Sequence, residues 1–129
     1  MLQNSEFRLS QIGQVALPVA DLERAVEFYG HKLGLRHLFT FPNLAFFDCE
    51  GIRLMLNLPE KGEASQPSLI IYFKVDDIQS AYQTLAARDV RFEDPPHLIA
   101  KMDTYDLWMA FFRDSENNLL SIMSEVAHP

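Results

Sequence analysis

Between positions 12 and 35, in IGQVALPVADLERAVEFYGHKLGL, the hydrophobic pattern changes its period. Val15, Leu17 and Val19 recur at every second residue, as on one face of a strand, whereas Leu22, Ala25, Val26, Tyr29 and Leu33 recur at helical spacing. Asp21 stands at the change, where its carboxylate can accept hydrogen bonds from the free N–H groups of a first helical turn. The same order returns fifty-six positions later. Val19 falls on Val75, Asp21 on Asp77, Leu22 on Ile78 and Ala25 on Ala81. The second copy is then one residue shorter, so that Leu35 and Arg36 meet Val90 and Arg91.

Strand-like runs follow each helix: LRHLFTF, LAFFDC and IRLMLN in the first half, then VRFED, DLWMAFF and LLSIM in the second. Each half therefore reads β-α-β-β-β. A first module spans about 9–57, a Pro-, Ser- and charge-rich linker about 58–67, and a second module about 68–124, within one domain. The second half alone carries PPHLIAKMDTY, which Pro95 and Pro96 make a loop or an edge-strand extension bordering a site.

Composition narrows the function. Eighteen acidic against eleven basic side chains leave a formal charge of −7, which argues against a nucleic-acid backbone or an anionic membrane surface as partner. The single cysteine, Cys49, allows no intrachain disulfide. MLQNSEFRLSQ has no basic segment followed by an apolar one, and no apolar run approaches the ~20 residues needed to span a bilayer. A soluble, cytoplasmic protein is the expectation.

The LPVADLERAVEFYGHKLGL opening, its FKVDDIQSAYQTL echo and the closing FFRDSENNLLSIM together resemble the vicinal oxygen chelate superfamily of glyoxalase I, bleomycin-resistance proteins and extradiol dioxygenases. The resemblance covers nearly the whole chain, and in the closing turn Asp114, Ser115, Glu116, Asn117 and Asn118 replace the family's usual Asp-Pro-Asp-Gly-Asn. It implies an α+β fold in which two βαβββ modules form a curved, cup-shaped mixed sheet, and a homodimer. It also implies a divalent metal held by His, Gln or Glu from the first and last strands of the modules. Those positions fall on Gln14, Ile70, Met55 and Ser121, so only Gln14 keeps a ligand-type side chain, and no metal or other cofactor is expected.

Strand alternation then lines the cup with Gln14, Arg53, Met55, Ile70, Tyr72, Lys74 and Ser121, an apolar wall with a few polar groups suited to a small molecule, anionic or aromatic. Trp108 lies at a sheet edge or pocket rim, able to stack on such a ligand, or in the core. His97 and Tyr72 are the candidates for proton transfer, and His97 and Lys101, an even number apart, share one side of an extended chain. Two functions stay open. One is a metal-free binding domain of the drug-sequestering kind; the other is a lyase, isomerase or dioxygenase using no metal or a non-standard site such as Gln14 with His97. A third possibility is a ligandless protein-contact paralogue whose cup is filled by its own Phe and Met side chains.

Overall fold

A computed structural model describes residues 10–59 and 69–129; most of the expected linker lies outside the described residues. The first module comprises β1 (Gln14–Pro18), α1 (Leu22–Glu27), β2 (Arg36–Thr40), β3 (Leu44–Cys49) and β4 (Ile52–Asn57). The second comprises β5 (Ile71–Lys74), α2 (Ile78–Ala87), β6 (Arg91–Phe92), β7 (His97–Lys101), β8 (Tyr105–Arg113) and β9 (Leu119–Ala127). The chain is thus α+β with two mixed sheets, ordered β1-β4-β3-β2 and β5-β9-β8-β6, with β7 paired to β8. β1 runs parallel to β4 and β5 parallel to β9 while the other pairs are antiparallel. Each module thus has its own sheet, as the fold class implies, and among the described residues no strand pairing joins the two.

The repeat is real in three dimensions. Asp21 and Asp77 both cap their helices, accepting from Arg24 N–H at 3.0 Å and Ser80 N–H at 3.1 Å. Val19 and Val75 donate to matching positions of β4 and β9, the Asn57 and Met123 carbonyls. The one-residue difference lies at the end of the first helix, where α1 widens into a π-helical turn over Phe28–Lys32 and Leu33 N–H donates to the Phe28 carbonyl. Beyond it Gly34 and Asp89, the two left-handed residues that release each helix, correspond. The PPHLIAKMDTY segment supplies edge strand β7, and β9 runs three residues past the expected module end.

Leu17, Val19, Phe47, Leu54, Leu56, Phe112, Leu120 and Ile122 turn towards the helices and form, with Ala25, Tyr29 and Ile78, one core shared by both modules. The modules are clamped at one junction by the β8–β9 turn. Asp114, almost fully buried, accepts from the Tyr29 hydroxyl at 2.7 Å and from the Asn118 N–H at 2.7 Å. Asn118 in turn donates to the Pro18 carbonyl at 3.2 Å. Glu116 reaches the start of α1, accepting from Ala20 and Asp21 N–H, each at 2.9 Å, and from Arg24 Nε at 2.8 Å. Burial alone would push the Glu116 carboxyl up, but hydrogen bonds from Arg24, Ser115 and the two backbone amides outweigh it and hold the pKa at about 2. The Tyr29 hydroxyl is pushed well above its usual range by burial and then by the Asp114 charge, so it stays a donor.

An unfolded glutamate titrates near ~4.3. The stabilisation from Glu116 is therefore complete above about pH 4.5 and is lost as the pH falls towards 2. Glu116→Gln should cost about 2 kcal/mol at pH 7, discounted for the exposed Arg24 partner, and should flatten the acid limb of stability in urea titrations at pH 7, 4.5 and 3. An acid limb identical to that of the parent would refute the clamp. Tyr29→Phe should lose roughly 1–3 kcal/mol in the same measurement, because Asp114 keeps its burial and loses a donor.

Candidate functional site

Each sheet has one face under its helix and one face without a helix, and the second holds most of the residues that sequence alternation assigned to a cup. On β1, Gln14 and Ala16 are exposed whereas Leu17, and Val19 just beyond the strand, are buried, as period-2 alternation requires. The register sets Gln14 beside Arg53 and Ala16 beside Met55. In the second module Tyr72 pairs with Ser121 and Lys74 with Met123. Because Ala16 corresponds to Tyr72 in the repeat, Met55 and Ser121 hold equivalent places.

Three of these side chains form one group. Arg53 Nε donates to Gln14 Oε1 at 2.9 Å, Gln14 Nε2 lies 3.8 Å from the Met55 sulfur, and the Arg53 guanidinium rests 5.4 Å over the centre of the Phe46 ring. Phe46 in turn packs on Phe39 at 4.9 Å and Phe41 at 6.3 Å. The result is an aromatic wall beside a guanidinium. Among the described residues no carboxylate pairs with Arg53. Phe39 and Phe41 are two apart in FTF, the spacing of one strand face, which is the signal that could have added them to the site.

The second sheet presents Tyr72, edge-on to Phe111 at 5.9 Å, and Lys74, paired with Glu125 at 3.2 Å. Tyr72 and Lys74 also border a cavity of about 480 Å³ between the modules, whose other walls include Val15, Ile52 and Leu54. No hydrogen bond or aromatic pair among the described residues ties the Gln14–Arg53 group to the Tyr72–Lys74 group.

Several expected site residues stand elsewhere. Ser121 is fully buried, and its hydroxyl lies 2.9 Å from the Ile122 carbonyl and 3.2 Å from that of Ala110, so it is spent on the sheet's own backbone. Trp108 shares a face with Ala110 and Phe112 and packs on the core instead of lining the cup. Ile70 precedes β5 and is exposed. A β-bulge between Leu98 and Ala100 shifts the alternation of β7. His97 then pairs with Met109, on the helix-free face, and Lys101 with Asp106, on the other, so the two do not share a side. Among the described residues the His97 ring has one hydrogen-bond partner, the Pro95 carbonyl at 3.1 Å from Nδ1. The Cys49 thiol is pushed up by burial and then by Asp48 and Glu50, the opposite of an activated nucleophile. Among the described residues no three His, Cys, Asp or Glu side chains come together as a metal-binding group.

Comparison with known proteins agrees with this architecture. The chain is 31% identical over 124 residues to the uncharacterized protein YraH of Bacillus subtilis, covering 84% of this chain and 94% of that protein. A member of the glyoxalase/bleomycin resistance protein/dioxygenase superfamily from Sphaerobacter thermophilus superposes with a TM-score of 0.75 at 25% identity, over 91% of this chain and 98% of the other. Lactoylglutathione lyase from Agrobacterium tumefaciens has the same fold, with a TM-score of 0.73 at 23% identity, over 90% of this chain and 94% of that one. The superfamily's sequence profile matches residues 11–122. With its paired βαβββ modules and matching sequence, the chain belongs to the Glyoxalase/Bleomycin resistance protein/Dioxygenase superfamily.

Proposed function

We propose that this chain is a metal-independent small-molecule-binding domain of its superfamily, which takes a ligand with an aromatic body and an anionic group on the helix-free face of the first sheet. The observation that carries this reading is the bond from Arg53 Nε to Gln14 Oε1. Of the four positions where the superfamily's metal ligands would stand, only Gln14 has a suitable oxygen, and that oxygen already takes a guanidinium. A divalent ion there would lie against a fixed positive charge. Met55 offers a thioether, Ile70 no donor, and the Ser121 hydroxyl is held by backbone carbonyls. The residues present do not fit the group.

What they fit is an anion on an aromatic surface. With Nε engaged by Gln14, the terminal nitrogens of Arg53 are left to grip a carboxylate or sulfonate as a fork, while Phe39, Phe41 and Phe46 supply apolar area. In a single chain this wall is open, with Phe39 44% and Phe41 52% exposed, which favours a homodimer in which a second copy covers it. A cytoplasmic location accords with one unpaired cysteine.

Protein purified without chelators should contain well under one equivalent of metal by elemental analysis, and nickel, zinc or manganese should leave its Tm unchanged. A stoichiometric divalent ion lost on Gln14→Ala would overturn the reading in favour of a metal-using enzyme. Arg53→Met should weaken binding of anilinonaphthalene sulfonate, followed by fluorescence, by about tenfold, the equivalent of about 1.4 kcal/mol for a lost charged hydrogen bond.

A further inference from the structure

The β8–β9 turn clamps the modules at the first helix by several hydrogen bonds, whereas beneath α2, among the described residues, Arg88 alone bonds across them. Where the β8–β9 turn seals the first module's helix, Tyr29 fills the space and bonds to Asp114. At the matching place beneath α2 the repeat puts other residues. Counting from the aligned caps Asp21 and Asp77, Phe28 corresponds to Thr84 and Tyr29 to Leu85. The correspondence holds through Tyr29, since Leu35 N–H donates to the Tyr29 carbonyl and Val90 N–H to that of Leu85. Two buried aromatic rings of the first module are thus replaced by a threonine and a leucine in the second.

Among the described residues nothing else closes the space. A cavity of about 290 Å³ lies under α2, walled by Leu33 and Leu35 from the first module and Phe73, Leu85, Phe112 and Ile122 from the second, with Thr84 and Arg88 as its polar groups. Its size is near the lower end for small-molecule sites, ~300 Å³. Arg88 is fixed there. Its Nη1 donates to the Lys32 carbonyl at 3.1 Å and lies 3.6 Å from where a side chain on Gly34 would begin. Among the described residues no carboxylate pairs with it. The first module contains the arrangement this cavity lacks, an aromatic ring (Phe28) with a cation, Lys32 Nζ, 6.0 Å above it.

We propose that the cavity under α2 is a second ligand site, separate from the helix-free faces, for a small monocyclic aromatic acid, with the ring in the place of the missing Phe28 equivalent and the carboxylate on Arg88. An apolar pocket of one-ring size with a single fixed cation at its edge favours that class over a neutral hydrophobe, because the guanidinium gains a paired anion at the point where the ring is desolvated.

The probes are phenylacetate and benzyl alcohol, added to the full chain and followed by methyl NMR of Leu33, Leu35, Leu85 and Ile122. Phenylacetate should shift these methyls at saturation and bind at least tenfold more tightly than benzyl alcohol. Arg88→Gln, on an exposed residue, should remove that preference. Thr84→Phe should fill the space and abolish the shifts, and Arg53→Met, which tests the other face, should leave them unchanged. Equal affinity for the acid and the alcohol would overturn the proposal, as would shifts confined to the Met55 and Met123 methyls. Cavity methyls that respond to protein dilution and not to either probe would show that a second copy of this chain is the occupant, which overturns it as well.

Discussion

Two carboxylates in one five-residue turn hold the molecule together. Asp114 and Glu116 carry no hydrophobic surface, yet they fix how the second module sits on the first, since their partners, Tyr29, Arg24 and the amides of Ala20 and Asp21, all lie at α1 or its start. The arrangement works because each buried acceptor has several donors, which is what makes a buried charge tolerable. Asp114 also organises its own turn, accepting from the Glu116 and Asn118 amides, while Asn117 takes the left-handed conformation that a short polar side chain permits. These internal bonds restrict the turn on their own account, which lowers the chain entropy that opposes the contact.

The clamp also explains why two copies of one motif are not equivalent. An α1 that must receive Glu116 and Asp114 is built with Arg24 and Tyr29, and its last turn opens into a π-helix that accommodates an added residue. The second helix, among the described residues, bonds to no such turn. It has Ser80 and Leu85 at the corresponding places and stays α-helical for ten residues. Once the partner turn is missing, nothing selects large aromatic side chains at those positions, and the packing beneath α2 is left incomplete.

This asymmetry sets what could be read from the sequence. The caps, the helix faces and the strands LAFFDC and IRLMLN follow from local periodicity, and the structure has them within a residue or so. The one-residue shift between the halves was visible as a count, but its cause, a π turn, depends on backbone bonding that no side-chain pattern reports. Bulges hide in the same way. Alternation put His97 and Lys101 on one side, and a single unpaired position at Ile99 separated them. Pattern leaves Trp108 open between a rim and the core, and puts Ser121 in the cup, where the structure buries it. A lone Trp fits a rim or a core equally well by pattern, and a serine's exposure is settled by its neighbours, here the carbonyls of Ala110 and Ile122.

Gln14 stands where the superfamily resemblance sets a metal ligand, and here its carboxamide oxygen accepts from a guanidinium. In a strand whose face is open, a carboxamide oxygen with no partner costs nothing, because water serves it. Arg53, directly across the parallel pair, gives it a protein partner instead, and Phe46 supports the guanidinium from below. Each contact removes freedom from the arginine, whose long side chain would otherwise lose much entropy on gripping an anion. On the function proposed above, the glutamine positions a cation, where the superfamily's pattern would make it a ligand of one. The same atom serves both purposes; the neighbour across the strand decides which.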